Sequence, residues 1–404
     1  MELRRSPLRW WLPPLIAVYL LFLFGRSRGW VGVWPQTSAA AQVPMILLTP
    51  ALAAGAAWSA SRTARNRAEE QLSALPRPGW AVDGVHLLAI VLLGLVPLAV
   101  GAASAFAVTY AESGAGWIWP EYLVLAVAVL VISVSMGQLA GRLLPWRITP
   151  VLVGVVNYLG LAALDNTALE LFVLSGPPSE EVSWRALAAR LAVAAALVTV
   201  ALVAPELLRA TPSVRVDWSV TALGAAVVVL VSALAVQLNG ERLMRERTPV
   251  VATCAGSEPE VCLWPENQKY LAEAVSMTQR LAAAVRGLSE VPTTVYEEGL
   301  RPGQNRAGLV TVGSGDSAFA YSLAGAFPLG EVQQCPDDER NQAFETLLVW
   351  RASRAVGNGR PLPMSPGHSG PVLDDVQRVL RMDEDGQRRW LTESMSMLRR
   401  PCGT

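Results

Sequence analysis

The feature that most constrains this chain is a series of long apolar segments confined to residues 1–239. A helix needs about 20 mostly apolar residues to cross the hydrocarbon core of a bilayer, because it rises only about 1.5 Å per residue. Seven segments qualify as candidates, of which the first and the fifth are the shortest. They run from Trp10 to Phe24, Val43 to Ala60, Gly84 to Val108, Glu121 to Ala140, Thr149 to Ala168, Trp184 to Ala204 and Trp218 to Leu238.

The overall composition agrees with a membrane domain. Hydrophobic residues make up 52% of the chain and charged residues only 16%, whereas soluble domains are about a quarter charged. Much of the surface must therefore face lipid, which makes the bilayer the first predicted partner. Basic and acidic residues balance at 33 each, which gives no reason to expect a nucleic-acid partner. The sequence predicts an α-helical polytopic membrane bundle of about seven transmembrane helices over residues 1–239.

The arginines predict the orientation of this bundle, because cytoplasmic loops carry an excess of basic residues. With a cytoplasmic N-terminus, the opposite loops hold only Arg26, Arg28 and the boundary Arg185. Three arginines just after the last segment, at positions 242, 245 and 247, oppose this bias without reversing it. Seven spans would then place the C-terminal part outside the cytoplasm. The cytoplasmic segments would carry Arg4, Arg5, Arg9, Arg62, Arg65, Arg67, Arg77, Arg142, Arg147, Arg209 and Arg215.

The four cysteines, Cys254, Cys262, Cys335 and Cys402, all lie in the C-terminal part. Disulfides persist outside the cytoplasm and are rare within it, so this placement agrees with an external tail. We expect the pairs Cys254–Cys262 and Cys335–Cys402; four unpaired buried thiols are the alternative. A zinc site is disfavoured, since no C-x-x-C pair occurs and His368 is the tail's single histidine.

After Gly240 the sequence becomes charged and predicts a linker over residues 240–253, followed by a small extracytoplasmic α+β domain over residues 254–404. The segment from Cys254 to Cys262 is expected to be a loop, and GSGDS at Gly313–Ser317 is expected to be a turn. Apolar spacing and terminal residues predict the regular elements. The predicted helices are Pro265–Arg286, Pro336–Val356, Val372–Met382 and Gln387–Arg400, and the predicted strands are Thr293–Tyr296 and Gly308–Val312.

Polar residues within apolar spans are costly to bury in lipid and are candidates for function. Asp165 near the end of the fifth segment and Arg190 about two turns into the sixth have similar predicted depths, so they could form an intramembrane ion pair. The alternative is that both side chains extend separately to the outer interface. The full set is His86, Gln138, Asn157, Asp165, Arg190 and Gln237.

No catalytic, cofactor-binding or metal-binding residues are predicted. The chain lacks the H-E-x-x-H ligands of a zinc peptidase and the G-x-x-x-x-G-K-[ST] phosphate loop. The GSGDS sequence does not match the nucleophile elbow G-x-S-x-G. We therefore do not expect an enzyme.

The motif VCLWPEN at Val261–Asn267, the closing segment WLTESMSMLRRPC at Trp390–Cys402 and the preceding multi-span region resemble actinobacterial ABC-transporter permease-like membrane proteins with a C-terminal extracytoplasmic domain. The resemblance implies a separately encoded partner with a P-loop ATPase. It carries over no catalytic residues.

Three classes of function follow. The leading hypothesis is the permease-like membrane subunit of an ABC-type exporter in the cell membrane, whose Arg-rich cytoplasmic loops would contact the ATPase. The alternative is a membrane-anchored extracytoplasmic binding or sensing protein without transport activity. A membrane-embedded enzyme is the third class. A homo-oligomer is compatible with each of them.

Overall fold

The computed structural model describes residues 10–25, 29–65, 79–112, 116–164, 170–207, 223–233, 242–301, 309–310, 316–328, 338–363 and 370–399. Contacts between residues divide the chain into two units. The first comprises residues 1–113, 117–176 and 180–245. The second comprises residues 246–404 with two short pieces, residues 114–116 and 177–179.

The first unit is built from helices. Two small strands, β1 (Glu180–Val182) and β2 (Met244–Glu246), pair with each other, and β2 lies inside the segment that we predicted to be a linker. The helices are α1 (Leu12–Gly25), α2 (Trp34–Gln42), α3 (Met45–Arg65), α4 (Gly79–Ala111), α5 (Pro120–Leu143), α6 (Thr149–Ala163), α7 (Trp184–Leu207) and α8 (Leu223–Ala233).

Four helical segments of the described chain are long and apolar enough to cross a membrane. They are Trp34–Arg62, which joins α2 to α3, together with Trp80–Ala111, Pro120–Leu143 and Trp184–Val203. They correspond to the second, third, fourth and sixth predicted spans, so the prediction of a helical membrane protein is confirmed.

The prediction of seven spans is not confirmed. The first, fifth and seventh segments form shorter apolar helices, α1, α6 and α8. At 15 residues, α6 is about 22 Å long, which is less than the thickness of the hydrocarbon core. The ends of the seventh predicted span lie outside the described residues.

Large apolar side chains are exposed along these helices. On α6, Val151, Val155, Val156 and Leu159 are all more than half exposed. A continuous apolar surface of this kind is unfavourable in water and favourable in lipid. The short helix α6 therefore also has the surface of a membrane helix.

Helices α3 and α5 pack closely because small residues face each other at the contact. A Cβ atom added at Gly137 would lie 2.2 Å from the carbonyl oxygen of Ala53, and one added at Gly141 would lie 2.4 Å from that of Ala57. The spacing of four residues on both helices keeps these positions on one face. Small residues at this spacing let helix backbones approach in the absence of water.

The second unit is an α+β domain. It begins with a hairpin, continues through a 3₁₀ helix, an α-helix and two further strands, and ends with four helices. Its elements are β3 (Thr253–Ala255), β4 (Glu260–Leu263), a 3₁₀ helix (Pro265–Tyr270), α9 (Leu271–Val285), β5 (Thr294–Glu297), β6 (Leu309–Val310), α10 (Asp316–Ala326), α11 (Asp338–Val356), α12 (Pro371–Leu380) and α13 (Glu384–Leu398).

The four strands form one mixed sheet in the order β3-β4-β5-β6. The β3–β4 pair is antiparallel, whereas β4 pairs with β5 and β5 with β6 in parallel. Parallel neighbours need a long connection, and the 3₁₀ helix and α9 supply it between β4 and β5. Val261 and Val295 lie opposite each other in this pair and are fully buried.

The helices cover the sheet with a hydrophobic core of their own. Leu281 on α9 and Leu347 on α11 are fully buried in it. Trp350 on α11 packs against Trp390 on α13, with ring centroids 5.7 Å apart. The tail thus has a hydrophobic core separate from that of the bundle.

Two elements of this domain differ from the sequence-based prediction. The segment from Cys254 to Cys262 contains parts of two paired strands where we expected a loop. Helix α10 begins at Asp316, inside the predicted GSGDS turn. Strands of three or four residues carry too little alternation to be recognised before their pairing is known.

The α3–α5 contact predicts opposite results for two Gly→Ala substitutions. Gly141→Ala would force a methyl group against a backbone carbonyl, which cannot move as a side chain could. Overpacking of this kind costs roughly 1–3 kcal/mol of stability. Gly160→Ala on α6 is the matched control, because no atom lies within 4 Å of its added Cβ. Thermal unfolding in mild detergent should show a lower midpoint for Gly141→Ala alone; equal midpoints would contradict the close contact.

Candidate functional site

The VCLWPEN motif of the tail lies where β4 ends and the 3₁₀ helix begins. Trp264 and Asn267 of this motif are fully buried, and Glu266 is 6% exposed. Together with Arg247 and Glu297 they form a group that we call the polar cluster. Buried polar side chains need partners, so the contacts within the cluster determine what it can do.

Glu297, the last residue of β5, lies at the centre of the polar cluster. Its Oε2 accepts a hydrogen bond of 2.8 Å from the backbone N–H of Trp264, and its Oε1 accepts one from the side-chain amide of Asn267. The indole N–H of Trp264 donates to the carbonyl oxygen of Glu298 at 2.9 Å. These bonds hold the end of β5 against the start of the 3₁₀ helix.

Arg247 closes the polar cluster on another side. Its Nη1 lies 2.8 Å from Oε1 of Glu266, and its guanidinium carbon lies 4.8 Å from the centroid of the Trp264 ring. Its backbone N–H donates to the carbonyl oxygen of Ser179, and its Nη1 to that of Pro178. Ion pairing, stacking and carbonyl contacts together fix this guanidinium.

The carboxyl group of Glu297 is electrostatically unusual. Burial raises its pKa from 4.5 to about 8, although the hydrogen bonds from Trp264 and Asn267 act in the opposite direction; the charge of Glu266 adds a smaller upward contribution. Perturbed carboxyl groups often mark active sites. Here, however, the side chain is 3% exposed and both oxygens accept bonds from the protein. The arrangement suits a group that fixes the motif rather than one that meets a substrate.

The predicted disulfide partners Cys254 and Cys262 lie opposite each other in the β3–β4 hairpin, and their sulfur atoms are bonded. A carboxylate oxygen of Glu260 and both sulfurs lie within 4.8 Å of one another. Metal ions bind the thiolate form of cysteine, so these bonded sulfurs do not form a metal site. Cys335 and Cys402 lie outside the described residues, so their pairing stays a prediction.

The intramembrane pair Asp165–Arg190 also stays a prediction, because Asp165 lies outside the described residues. Arg190 is fully buried on α7. Its guanidinium donates to the carbonyl oxygen of Glu170 at 2.6 and 2.8 Å and to that of Ala186 at 2.9 Å. Backbone carbonyls are acceptors of the kind that solvate an arginine away from water.

The other polar residues predicted within spans have structural partners where they are described. Gln138 donates to the backbone carbonyl of Asp83 at 3.0 Å, and Asn157 donates to Oγ of Ser133 at 3.2 Å. His86 is partly buried, and Gln237 lies outside the described residues.

A buried ion pair in the bundle was missed from the sequence. Arg142 and Asp83 form a direct salt bridge, with their side chains 5% and 7% exposed. Arg142 was predicted to lie in a cytoplasmic loop. Asp83 was left outside the third predicted span, which started at Gly84, whereas α4 begins at Gly79. Asp83 lies near the N-terminus of α4 and Arg142 near the C-terminus of α5, where each charge also complements the helix dipole.

A domain family described as a domain of unknown function, DUF7224, matches residues 261–402. The match begins in β4, on the first residue of the VCLWPEN motif, and ends at Cys402. It covers only the tail. No curated protein and no solved structure matches the chain.

The pKa of Glu297 predicts how the stability of the tail depends on pH. Between about pH 4.5 and about pH 8 the folded state retains a proton on this carboxyl group that the unfolded state has released. The free energy of unfolding should therefore fall as pH rises through this range, by at most about 1.4 kcal/mol per pH unit. Glu297→Gln should abolish this dependence.

Hydrogen exchange of peptides covering β4 and β5 in the full-length protein, corrected for the intrinsic effect of pH, measures this dependence. Glu298→Gln is the matched control, because Glu298 is the neighbouring carboxylate but is exposed. If both variants keep the wild-type dependence of hydrogen exchange on pH, Glu297 is not the group that makes the stability of the tail depend on pH.

Proposed function

We propose that this chain is the permease-like membrane subunit of an ABC-type export system in the cell membrane. The observation that carries the proposal is the loop between the spanning helix α5 and α6, whose backbone carbonyls accept side-chain hydrogen bonds and whose own side chains are exposed. An ATPase that drives a membrane domain needs such a surface, because force passes through rigid contacts. The resemblance of the sequence to permease-like proteins supports the same assignment.

The loop comprises residues 144–148. The guanidinium of Arg65 at the end of α3 donates to the carbonyl oxygen of Trp146 at 3.2 Å, and Oγ1 of Thr149 donates to that of Leu144 at 2.6 Å. The salt bridge between Asp83 and Arg142 lies just before the loop. The side chains of Trp146 and Arg147 are exposed. A basic, aromatic surface on a fixed backbone is suited to a protein partner.

The proposal places this loop in the cytoplasm and the tail outside the cell. Two features support it: the arginine asymmetry of the short loops and the disulfide between Cys254 and Cys262. The number of spans matters, because the four long helices alone would return the tail to the side of the N-terminus. An external tail therefore requires an odd number of the short helices α1, α6 and α8 to cross as well.

A membrane-anchored binding or sensing protein is the second candidate. The tail has its own sheet and its own hydrophobic core, and the domain family matches the tail alone. A domain built in this way is suited to recognising a ligand outside the membrane without any transport. In that case the helices would serve as the anchor.

Affinity purification from mild detergent tests the assignment. The wild-type chain should co-purify a P-loop ATPase, and Arg147→Glu should reduce its recovery about tenfold or more, because a charge reversal at a contact costs several kcal/mol. Arg185→Glu is the matched control, because Arg185 is also exposed but is the second residue of α7 and lies outside this loop. Absence of any ATPase from the wild-type preparation would favour the second candidate.

Sidedness can be measured with a membrane-impermeant maleimide on intact cells. A cysteine-free chain carrying Ser317→Cys should be labelled, because this exposed residue of α10 belongs to the tail. The same chain carrying Pro145→Cys, in the loop before α6, should be labelled only after the cells are permeabilised. The reverse pattern would show that the tail is cytoplasmic.

A further inference from the structure

Arg351 in the middle of α11 is fully buried in the core of the tail. Arginine is almost never fully buried unless it is paired, because its charge loses hydration. Its neighbours on the helix, Trp350 and Ala352, are buried as well. The partners of its guanidinium therefore determine how this buried charge is stabilised.

One edge of this guanidinium holds the end of a neighbouring helix. Nη1 donates to the carbonyl oxygen of Phe327 at 2.9 Å and lies 3.4 Å from that of Ala324. These carbonyls belong to the C-terminal end of α10, where the last carbonyl groups lack partners within the helix. A positive charge is favourable at this end of a helix.

The other edge of the guanidinium is unused. Nε and Nη2 are both buried and have no hydrogen-bond partner in the described structure. No carboxylate of the described residues forms a salt bridge with Arg351, whereas Arg142 and Arg247 each have one. Burial lowers the pKa of Arg351 to about 10, so the group is still charged at neutral pH. A buried charge without a counter-charge is strongly unfavourable.

The geometry of the unused edge is that of a two-pronged donor. The N–H bonds at Nε and Nη2 point the same way in the plane of the guanidinium, at a spacing that matches the two oxygens of a carboxylate or phosphate. We propose that this edge of Arg351 binds an oxyanion, the carboxylate or phosphate group of a ligand recognised by the tail. This inference does not depend on transport, since it would hold for an exporter subunit and for a binding protein alike.

Hydrogen exchange of the full-length protein in detergent tests the proposal, with inorganic phosphate and succinate as probes and chloride at equal ionic strength as the reference. At least one probe should slow exchange in α10 and α11 of the wild-type protein. Arg351→Lys keeps the charge but loses the two-pronged edge, so half-maximal protection should need about tenfold more of the anion. Arg351→Met should remove the protection.

Arg354→Met is the matched control, because Arg354 lies three residues further along α11 and is partly exposed. It should keep the wild-type response. Hydrogen exchange in β4 and β5 reports whether each variant still folds. If Arg351→Met does not fold, the anion response of Arg351→Lys alone tests the proposal. Protection that is equal in wild type and Arg351→Lys, or absent from wild type with both anions, would overturn the proposal and leave Arg351 as a cap of α10. Neither result would bear on the ATPase experiment.

Discussion

The arrangement of the described bundle depends on the close approach of α3 and α5 at Gly137 and Gly141. Without side chains at these positions, the α5 backbone can reach the carbonyl groups of Ala53 and Ala57. Arg142 follows directly in sequence, so this contact also fixes where its guanidinium meets Asp83. The exposed loop after α5 starts two residues later. Apolar helices in lipid gain little free energy from burial alone, so close packing between small residues matters for their association. The contact between α3 and α5 thus determines the position of the exposed loop that we assign to a protein partner.

The buried charged groups of the tail differ in their partners. In the polar cluster, the oxygens of Glu297 accept bonds from Trp264 and Asn267, and Arg247 is paired with Glu266. Each of these side chains is used to join β4, β5 and the 3₁₀ helix. Arg351 differs, because three of its five N–H donors, those on Nε and Nη2, have no partner among the described residues. Oε2 of Glu266 and Oδ1 of Asn267 also lack partners, but they are single acceptors, whereas Nε and Nη2 of Arg351 form a buried fork of donors that matches an oxyanion.

The buried polar residues of the bundle show where prediction from sequence succeeds and where it stops. Long apolar runs predicted the spanning helices, and a rule about polar residues in spans selected Gln138, Asn157 and Arg190, all of which are buried. The same rule missed Asp83, which lies at a helix end that hydropathy places several residues too late. Hydropathy is averaged over a window of residues. It therefore cannot distinguish a charged side chain exposed in a loop from one at a helix end that is buried in the bundle.

The sequence by itself determined the membrane character of the first 239 residues, the α+β composition of the tail and most of its helices, because these depend on local apolar spacing and on helix-terminal residues. The tertiary structure decided the β3–β4 hairpin, the parallel pairing of β4 with β5, the partner of Arg142 and the unpaired edge of Arg351. Each of these joins groups that are distant in the chain or depends on which donors remain unpaired after folding. No local pattern encodes such information, since it arises only when separate elements pack against one another.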